Sequence, residues 1–241
     1  MTQPRDTHLP TSHWTEYLTR VQRKLEDYDT VLQQPNCAAD VRLQFTIVVS
    51  LRRRELLVAQ YSAGLPLTIV QATFRQVLRD CARYVAVVHK LPNLREFDSY
   101  VEVLWLVAWA LLFDISDVEF DDLLGIIETN HRDRLLDHLI ALRRSDWPIS
   151  EKLLHSRPYK RLLQAIESED TVREGYIARF LAEYYEGMKP AYWHDLHIIQ
   201  PGNFFGYWCF ELAAIVKALA ISDTSFANNE FYPRDLVTFT S

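Results

Sequence analysis

Apolar residues recur every three or four positions in one segment of this chain after another, which is the spacing of residues on one face of an α-helix. The first such segment extends from about Thr11 to Gln34, and its apolar stripe consists of Trp14, Leu18, Val21, Leu25, Tyr28 and Leu32. Glycine, which strand-rich folds need at tight turns, occurs only six times in 241 residues. The sequence therefore predicts an all-α fold, a compact array of about nine to ten helices.

The middle and the end of the chain carry the most distinctive helical segments. From Phe97 to Phe113 apolar residues surround the helix, so we expect it to be the buried central element. Ser116 and Glu119 have the spacing of a capping box for a helix that reaches Thr129. A final helix is predicted from about Phe205 to Ala220, followed by a turn-rich aromatic tail packed against the body of the protein.

The sequence is typical of a cytoplasmic protein. Its longest apolar run, Val103 to Phe113, has eleven residues, whereas a membrane-spanning helix needs about 20. The first residues lack the apolar stretch and cleavage site of a signal peptide. The three cysteines, Cys37, Cys81 and Cys209, are odd in number and far apart, so we interpret them as reduced thiols of the core rather than as a disulfide or zinc motif.

The best candidate for a catalytic site consists of His194, Asp195 and His197. Two imidazoles three positions apart beside a carboxylate can bind a metal ion from one helical turn, so a metal-dependent hydrolase that uses His194 and His197 is one alternative. The segment lacks the HExxH pattern that supplies a general base, and two loop histidines with aromatic neighbours are the other interpretation. The chain has no GxSxG elbow and no glycine-rich phosphate loop, which argues against a nucleotide-dependent enzyme.

Glu211 is the acidic residue of an otherwise apolar helical segment. An ionised carboxylate in such a place must be paired or hydrogen-bonded. It is therefore either a recognition or catalytic acid, or a buried structural acid that meets an arginine or backbone donors.

Acidic residues are concentrated in the C-terminal half of the chain. The whole chain carries a formal net charge of −6, and residues 114 to 241 contain 13 basic and 21 acidic residues, a net of −8. This balance argues against broad binding to nucleic acid. The acids form either solvated helix faces or a docking surface for a basic partner, and nearby aromatic side chains could anchor such a partner. The first group consists of Asp114, Asp117, Glu119, Asp121, Asp122 and Glu128, and the second of Glu167, Glu169, Asp170, Glu174, Glu183 and Glu186.

The C-terminal segment resembles the signature of a known family, the PoNi immunity proteins, which protect bacteria from polymorphic nuclease effectors of the type VI secretion system. In that family a GYWxFE-like helix leads to a YPxDL ending. The matching positions here are Gly206, Tyr207, Trp208, Phe210 and Glu211, followed by Phe231, Tyr232, Pro233, Asp235 and Leu236. The segment from Tyr61 to Leu78 is similar to a second part of the family pattern, so the resemblance extends from about Trp14 to Phe239. Cys209, where we expect a small residue such as serine, departs from the pattern.

The resemblance implies a non-enzymatic inhibitor in interbacterial competition, with no cofactor and no metal. Such an antitoxin binds its cognate nuclease toxin and blocks DNA access or toxin assembly, without contacting nucleic acid or membrane itself. The resemblance further implies an N-terminal helical region, 1–125, and a C-terminal helical region, 126–241, that carries the signature. Signature residues are expected to hold the fold, and homo-oligomerisation stays open, as does a general helical scaffold without a toxin partner. Partner contacts are predicted on the acidic surface at Asp114, Asp117, Glu119, Asp121, Asp122, Glu167, Glu169, Asp170, Glu183, Glu186, Tyr192 and Trp193.

Overall fold

The computed structural model describes residues 3–127 and 132–240, and these residues form eleven α-helices and no β-strand. Nine of the helices have eight or more residues, so the predicted all-α fold is confirmed. Within the described residues no helix is both long enough and apolar enough to span a membrane. The helices are α1 (Thr11–Leu32), α2 (Ala39–Ser62), α3 (Leu67–Val88), α4 (Phe97–Leu112), α5 (Asp117–Ile126), α6 (Arg134–Ala141), α7 (Ser156–Glu167), α8 (Asp170–Gly187), α9 (Leu196–Ile199), α10 (Phe210–Ala218) and α11 (Arg234–Val237).

Two units make up the chain, and each is built from two separate segments. Unit 1 comprises Met1–Leu91 and Asp195–Tyr207, and unit 2 comprises Pro92–His194 and Trp208–Ser241. The first three helices, α1 to α3, therefore belong to unit 1 together with α9. The remaining helices, α4 to α8 with α10 and α11, belong to unit 2.

Unit 1 has α2 as its middle helix, because α2 contacts both α1 and α3. The later segment of the unit is tied to these helices by side chains that bond to its backbone. His13 Nε2 lies 2.9 Å from the carbonyl oxygen of Phe204, and Ser62 Oγ donates to the carbonyl oxygen of Phe205 across 2.7 Å. The segment from 195 to 207 thus completes the packing of unit 1.

The predicted apolar stripe of α1 is confirmed in four of its six positions. Trp14, Val21, Leu25 and Leu32 are buried, whereas Leu18 and Tyr28 are partly exposed. The helix ends at Leu32, two residues before the predicted end.

Arg53 joins the three long helices of unit 1. This buried residue of α2 forms ion pairs with Asp80 of α3 and with Asp29 of α1, the latter with 2.6 Å between Nη2 and Oδ2. Its Nη1 also donates to Gln76 Oε1 across 3.1 Å. Burial raises the pKa of Asp80 even though Arg53 and Arg83 lower it, so the carboxylate depends on its cation.

Unit 2 is built around α4, as predicted for the segment from Phe97 to Phe113. Every residue from Val103 to Ala110 is buried, and α10 packs along the helix. The ring of Phe210 lies between two tryptophans of α4, with ring centroids 5.4 Å from Trp105 and 4.3 Å from Trp109. The predicted central position of this helix within its unit is confirmed.

The final helix was predicted to begin near Phe205, and this is wrong because α10 begins at Phe210. Gly206 has a φ of +121°, which an L-residue in a helix does not adopt. The backbone N–H of Cys209 donates to the carbonyl oxygen of Phe231 across 2.9 Å instead of to a helical acceptor. The signature segment from 206 to 208 therefore precedes the helix as non-helical chain.

The C-terminal tail packs on unit 2, as predicted. Phe226, Phe231, Tyr232 and Leu236 are buried, and the rings of Phe226 and Tyr232 contact each other edge to face, 5.0 Å between centroids. The predicted capping box is also confirmed, because Ser116 Oγ accepts from the N–H of Glu119 while Glu119 Oε2 accepts from the N–H of Ser116. The predicted end of this helix at Thr129 lies outside the described residues.

The cysteine prediction holds in two of three cases. Cys81 and Cys209 are buried thiols, and Cys37 is a thiol that is partly exposed. Cys37 lies in the connection between α1 and α2, so its assignment to the core is wrong.

Candidate functional site

The first acidic group contains a row of carboxylates at the start of α5. Asp114, Asp117 and Asp121 follow one another at helical spacing, and their side chains are 64 to 74% exposed. Each of them pairs with an arginine that follows α6. Arg143 donates to Asp114 and Asp117, and Arg144 donates to Asp117 and Asp121, with nitrogen to oxygen distances of 2.7 to 3.1 Å. We call these three aspartates the carboxylate row.

Arg143 and Arg144 lie beneath the carboxylate row. Their side chains are only 18 and 22% exposed, and both guanidinium groups lie over the ring of Phe120, at 5.5 and 5.3 Å from its centroid. The hydrogen bonds from Arg144 and then Arg143 hold the pKa of Asp117 below its usual range. The carboxylates are therefore fixed from below by cations and remain open to solvent above.

This pairing makes the region less negative than its sequence suggested. The segment from 114 to 127 contains no basic residue, but two arginines from a distant part of the chain offset two of its three paired aspartates. Sequence reasoning missed Arg143 and Arg144, because only the folded chain places them under α5. Of the other predicted contacts, Glu119 is occupied by the capping box, Asp122 is exposed, and Glu128 lies outside the described residues.

The second acidic group is also largely paired. Glu167 Oε1 lies 2.5 Å from Arg134 Nε and 2.9 Å from His138 Nε2. The remaining pairs join exposed acids to nearby cations: Asp170 with Arg173, Glu186 with Lys189 at 2.6 Å, and Glu183 with Arg161 at 4.0 Å. Glu169, the residue before α8, and Glu174, a residue of α8, are both exposed.

The two predicted aromatic contacts lie in different environments. Tyr192 is 42% exposed, and its backbone N–H donates to Asp98 Oδ1 across 2.9 Å. Trp193 is 2% exposed and stacks on Trp105 with 5.7 Å between ring centroids. The side chain of Tyr192 is therefore accessible to a partner, whereas that of Trp193 is not.

The histidines of the possible metal site contact aromatic side chains. The ring of His194, in unit 2, lies 4.3 Å from that of Tyr185. His197, in unit 1, has its Nδ1 2.8 Å from the hydroxyl oxygen of Tyr207. Asp195 has the left-handed φ of +60°. Among residues 3–127 and 132–240, no three His, Cys, Asp or Glu side chains are grouped in a way that could hold a metal ion.

Glu211, the acid of the signature, is fully buried in unit 2. Trp105 Nε1 donates to its Oε2 across 3.1 Å, and no basic residue in the described part of the chain forms an ion pair with it. The sequence suggested an arginine or backbone donors: the backbone of Glu211 does contribute, and the side-chain donor at Oε2 is an indole N–H rather than an arginine. Burial raises the pKa of Glu211 to about 7.

The other signature residues are mostly inaccessible to a partner. Gly206 and Tyr207 are buried in unit 1, whereas Asp235 of α11 is partly exposed. Besides Glu211, the buried signature residues of unit 2 are Trp208, Phe210, Phe231, Tyr232, Pro233 and Leu236.

Two family models match this chain. A family model for the N-terminal part of the PoNe immunity proteins (PoNi) matches residues 12–124, and one for the C-terminal part matches residues 131–236. No curated protein sequence matches the chain. The crystal structure of protein PA2201 from Pseudomonas aeruginosa is similar, with a TM-score of 0.79 and 19% sequence identity over 98% of this chain and 90% of that one. This likeness concerns the fold. Because the two family models together span most of its length, the chain belongs to the PoNe immunity protein (PoNi) family.

Proposed function

We propose that this protein neutralises a cognate nuclease effector of a type VI secretion system by binding it in a one-to-one complex in the cytoplasm. The observation that carries the proposal is the match of both family models, over residues 12–124 and 131–236. In this role the protein is an inhibitor and performs no catalysis.

The charges of the two units support one of them, unit 2, for this contact. By sequence, unit 1 contains 12 basic and 9 acidic residues, a net of +3, and unit 2 contains 14 basic and 23 acidic residues, a net of −9. A nuclease needs a basic surface to hold DNA phosphates. Opposite charge accelerates the encounter of two proteins and selects the partner. We therefore place the contact on unit 2.

Within unit 2 we propose the carboxylate row, with Asp122 beside it, as the principal contact. Its side chains are exposed, and Arg143 and Arg144 fix their direction. Fixed carboxylates lose less conformational entropy when a partner binds than freely rotating ones do. The second acidic group and Tyr192 are further contacts of the same proposal.

The function is tested by measuring DNA cleavage by the cognate effector, which we expect to be encoded beside this gene, with increasing amounts of this protein. Cleavage should stop at one molar equivalent, and calorimetry should show binding with the same stoichiometry. Undiminished cleavage without binding heat would contradict the proposed partner.

The contact is tested by charge reversal. Asp121→Lys with Asp122→Lys should slow association and weaken binding, most strongly at low salt. Glu16→Lys with Glu26→Lys on α1 makes the same change of charge at exposed positions of unit 1 and should have a much smaller effect. Glu183→Lys with Glu186→Lys examines the second group in the same way. Equal affinity of all variants and the parent would remove the acidic surface from the proposal.

Replacing the arginines separates net charge from orientation. Arg143→Gln with Arg144→Gln makes unit 2 more acidic but releases the carboxylate row from its anchors. Weaker binding by this variant would support fixed carboxylates as the recognised feature. Tighter binding would mean that total charge alone attracts the effector.

A further inference from the structure

Glu211 is a buried acid whose environment stabilises it poorly as an anion. Its side chain is fully buried at the start of α10, and Trp105 Nε1 donates to Oε2. The other oxygen, Oε1, has no hydrogen-bond partner of good geometry among the described residues. A buried carboxylate without a cation and with one poorly satisfied oxygen is costly, whereas the neutral acid is tolerated much better.

The groups around Glu211 carry no positive charge. Burial raises the pKa values of the hydroxyl groups of Tyr100 on α4, Tyr159 on α7 and Tyr184 on α8, and the charge of nearby Glu211 raises them further. The thiol of Cys209, just before α10, is affected in the same way. All four groups are neutral near pH 7, so none of them can balance an anion.

Further titratable groups lie on the neighbouring helices, farther from Glu211. Asp133, at the start of α6, accepts a hydrogen bond from the Tyr100 hydroxyl. On α4, Glu102 lies one turn before Trp105 and is partly exposed. On α11, Arg234 lies 3.7 Å from Asp223, and Asp235 is partly exposed. The acids among these groups would add to the cost of a negative charge on Glu211.

We propose that Glu211 is a proton-controlled switch in the core of unit 2, neutral while α10 packs against α4, and that its ionisation with rising pH weakens this packing. The bond to Trp105 links the protonation of Glu211 directly to the contact between the two helices. The switch belongs to the protein alone and requires no bound effector.

The direction of the effect follows from burial. Burial outweighs the polar groups of the backbone, Trp105 and Tyr159 and raises the pKa of Glu211 from its usual value to about 7 in the folded protein, whereas the unfolded chain has an ordinary glutamate. Between about pH 4.5 and pH 7 the folded state therefore binds the proton that the unfolded state has released. Stability that is fully present below this window is lost as the pH rises through it. The equilibrium constant for unfolding should rise by roughly two orders of magnitude because of this one group.

The first test compares urea unfolding of the parent, Glu211→Gln and Glu174→Gln between about pH 4.5 and pH 8.5, a range that brackets the expected titration. An amide cannot ionise, so Glu211→Gln should lose the part of the pH dependence that Glu211 supplies, while Glu174→Gln, a change at an exposed acid of α8, should keep it. Contributions from all residues that the three proteins share cancel in the comparison. A pH dependence of Glu211→Gln equal to that of the parent would overturn the proposal.

The second test needs no variant. The NMR resonance of the Trp105 indole N–H should shift with pH in the folded protein, with a midpoint near 7, because that group donates to the titrating carboxyl. The protection factors of the backbone amides of α10, which correct for the intrinsic rise of exchange with pH, should fall above the same midpoint. An indole resonance that stays constant, or moves with a midpoint near the ordinary glutamate value, would overturn the proposal even if Glu211→Gln does not fold.

Discussion

The hydroxyl group of Tyr100 donates a hydrogen bond to Asp133 Oδ1 across 2.9 Å, and both side chains are fully buried. Asp133 is also the N-cap of α6, where Oδ1 accepts from the backbone N–H of Leu136 at 3.0 Å. Its Oδ2 accepts from the backbone N–H of Leu154 at 2.7 Å. One carboxylate thus joins α4, the start of α6 and the loop before α7.

Asp133→Ala should lower the free energy of unfolding by about 2 to 4 kcal/mol, because the helix loses its cap and several buried donors lose their acceptor. Asp133→Asn keeps one oxygen and should cost less. Tyr100→Phe removes a single bond and should cost about 1 to 2 kcal/mol. Urea denaturation followed by circular dichroism measures all three, and a cost for Asp133→Ala no larger than that of Tyr100→Phe would contradict the joining role.

Gly187→Ala should destabilise the contact between α7 and α8. A Cβ atom at Gly187 would lie 2.2 Å from Pro158 Cβ, so the two helices would have to move apart, at a cost of about 1 to 3 kcal/mol. Gly175 on the same helix provides the control, because a Cβ there meets no atom within 4 Å. Gly175→Ala should stabilise the protein by about 0.5 to 1 kcal/mol, and the difference between the two variants is measured by thermal unfolding.

Arg53→Met should be strongly destabilising, by about 3 to 5 kcal/mol, because it leaves the buried Asp80 with only the more exposed Arg83, 3.5 Å away. The pKa of Asp80, already raised by burial, should rise further in the variant. Stability should therefore fall more in the variant than in the parent as the pH rises above the ordinary pKa of an aspartate. Adding Asp80→Asn should recover part of the loss and remove the extra pH dependence, and urea denaturation over a series of pH values would reveal a failure of either expectation.

Lys217→Met should loosen the C-terminal tail. Lys217 Nζ donates to the carbonyl oxygens of Leu112, the last residue of α4, and of Phe239 in the tail, both across 2.6 Å. Losing these bonds should cost about 1 to 2 kcal/mol and expose the aromatic residues of the tail to chymotrypsin several-fold faster. Lys160→Met, at an exposed position of α7, should leave the cleavage rate unchanged, and equal rates for the two variants would contradict the role of Lys217.

The helices could be predicted from the sequence because their signals are local. Apolar spacing along the chain and the Ser116–Glu119 box depend on residues within a few positions of each other. The start of α10 could not be predicted in this way. It depends on the backbone of Gly206 and on the bond between Cys209 and Phe231, which are 22 residues apart. The sequence of an apolar segment does not by itself show whether the segment is helical.

The candidate surface could be predicted only in part, for a similar reason. Acidic residues were expected on the surface, and the aspartates of the carboxylate row are exposed there. Their arginine partners are 23 to 29 residues away in the chain, and no short-range pattern indicates such a pairing. Tyr192 and Trp193 are neighbours in sequence with opposite exposure, which depends on what packs against each ring.

Each unit of this protein is completed by a segment that is synthesised late. The helices α1 to α3 emerge early, but the bonds from His13 to Phe204 and from Ser62 to Phe205 can form only when Phe204 and Phe205 have been synthesised. By then the chain has passed through most of unit 2. Domains made of one continuous segment can fold in order during synthesis, whereas here the first unit must wait for the return of the chain. Unit 1 therefore lacks part of its packing for most of the time that this protein is being made.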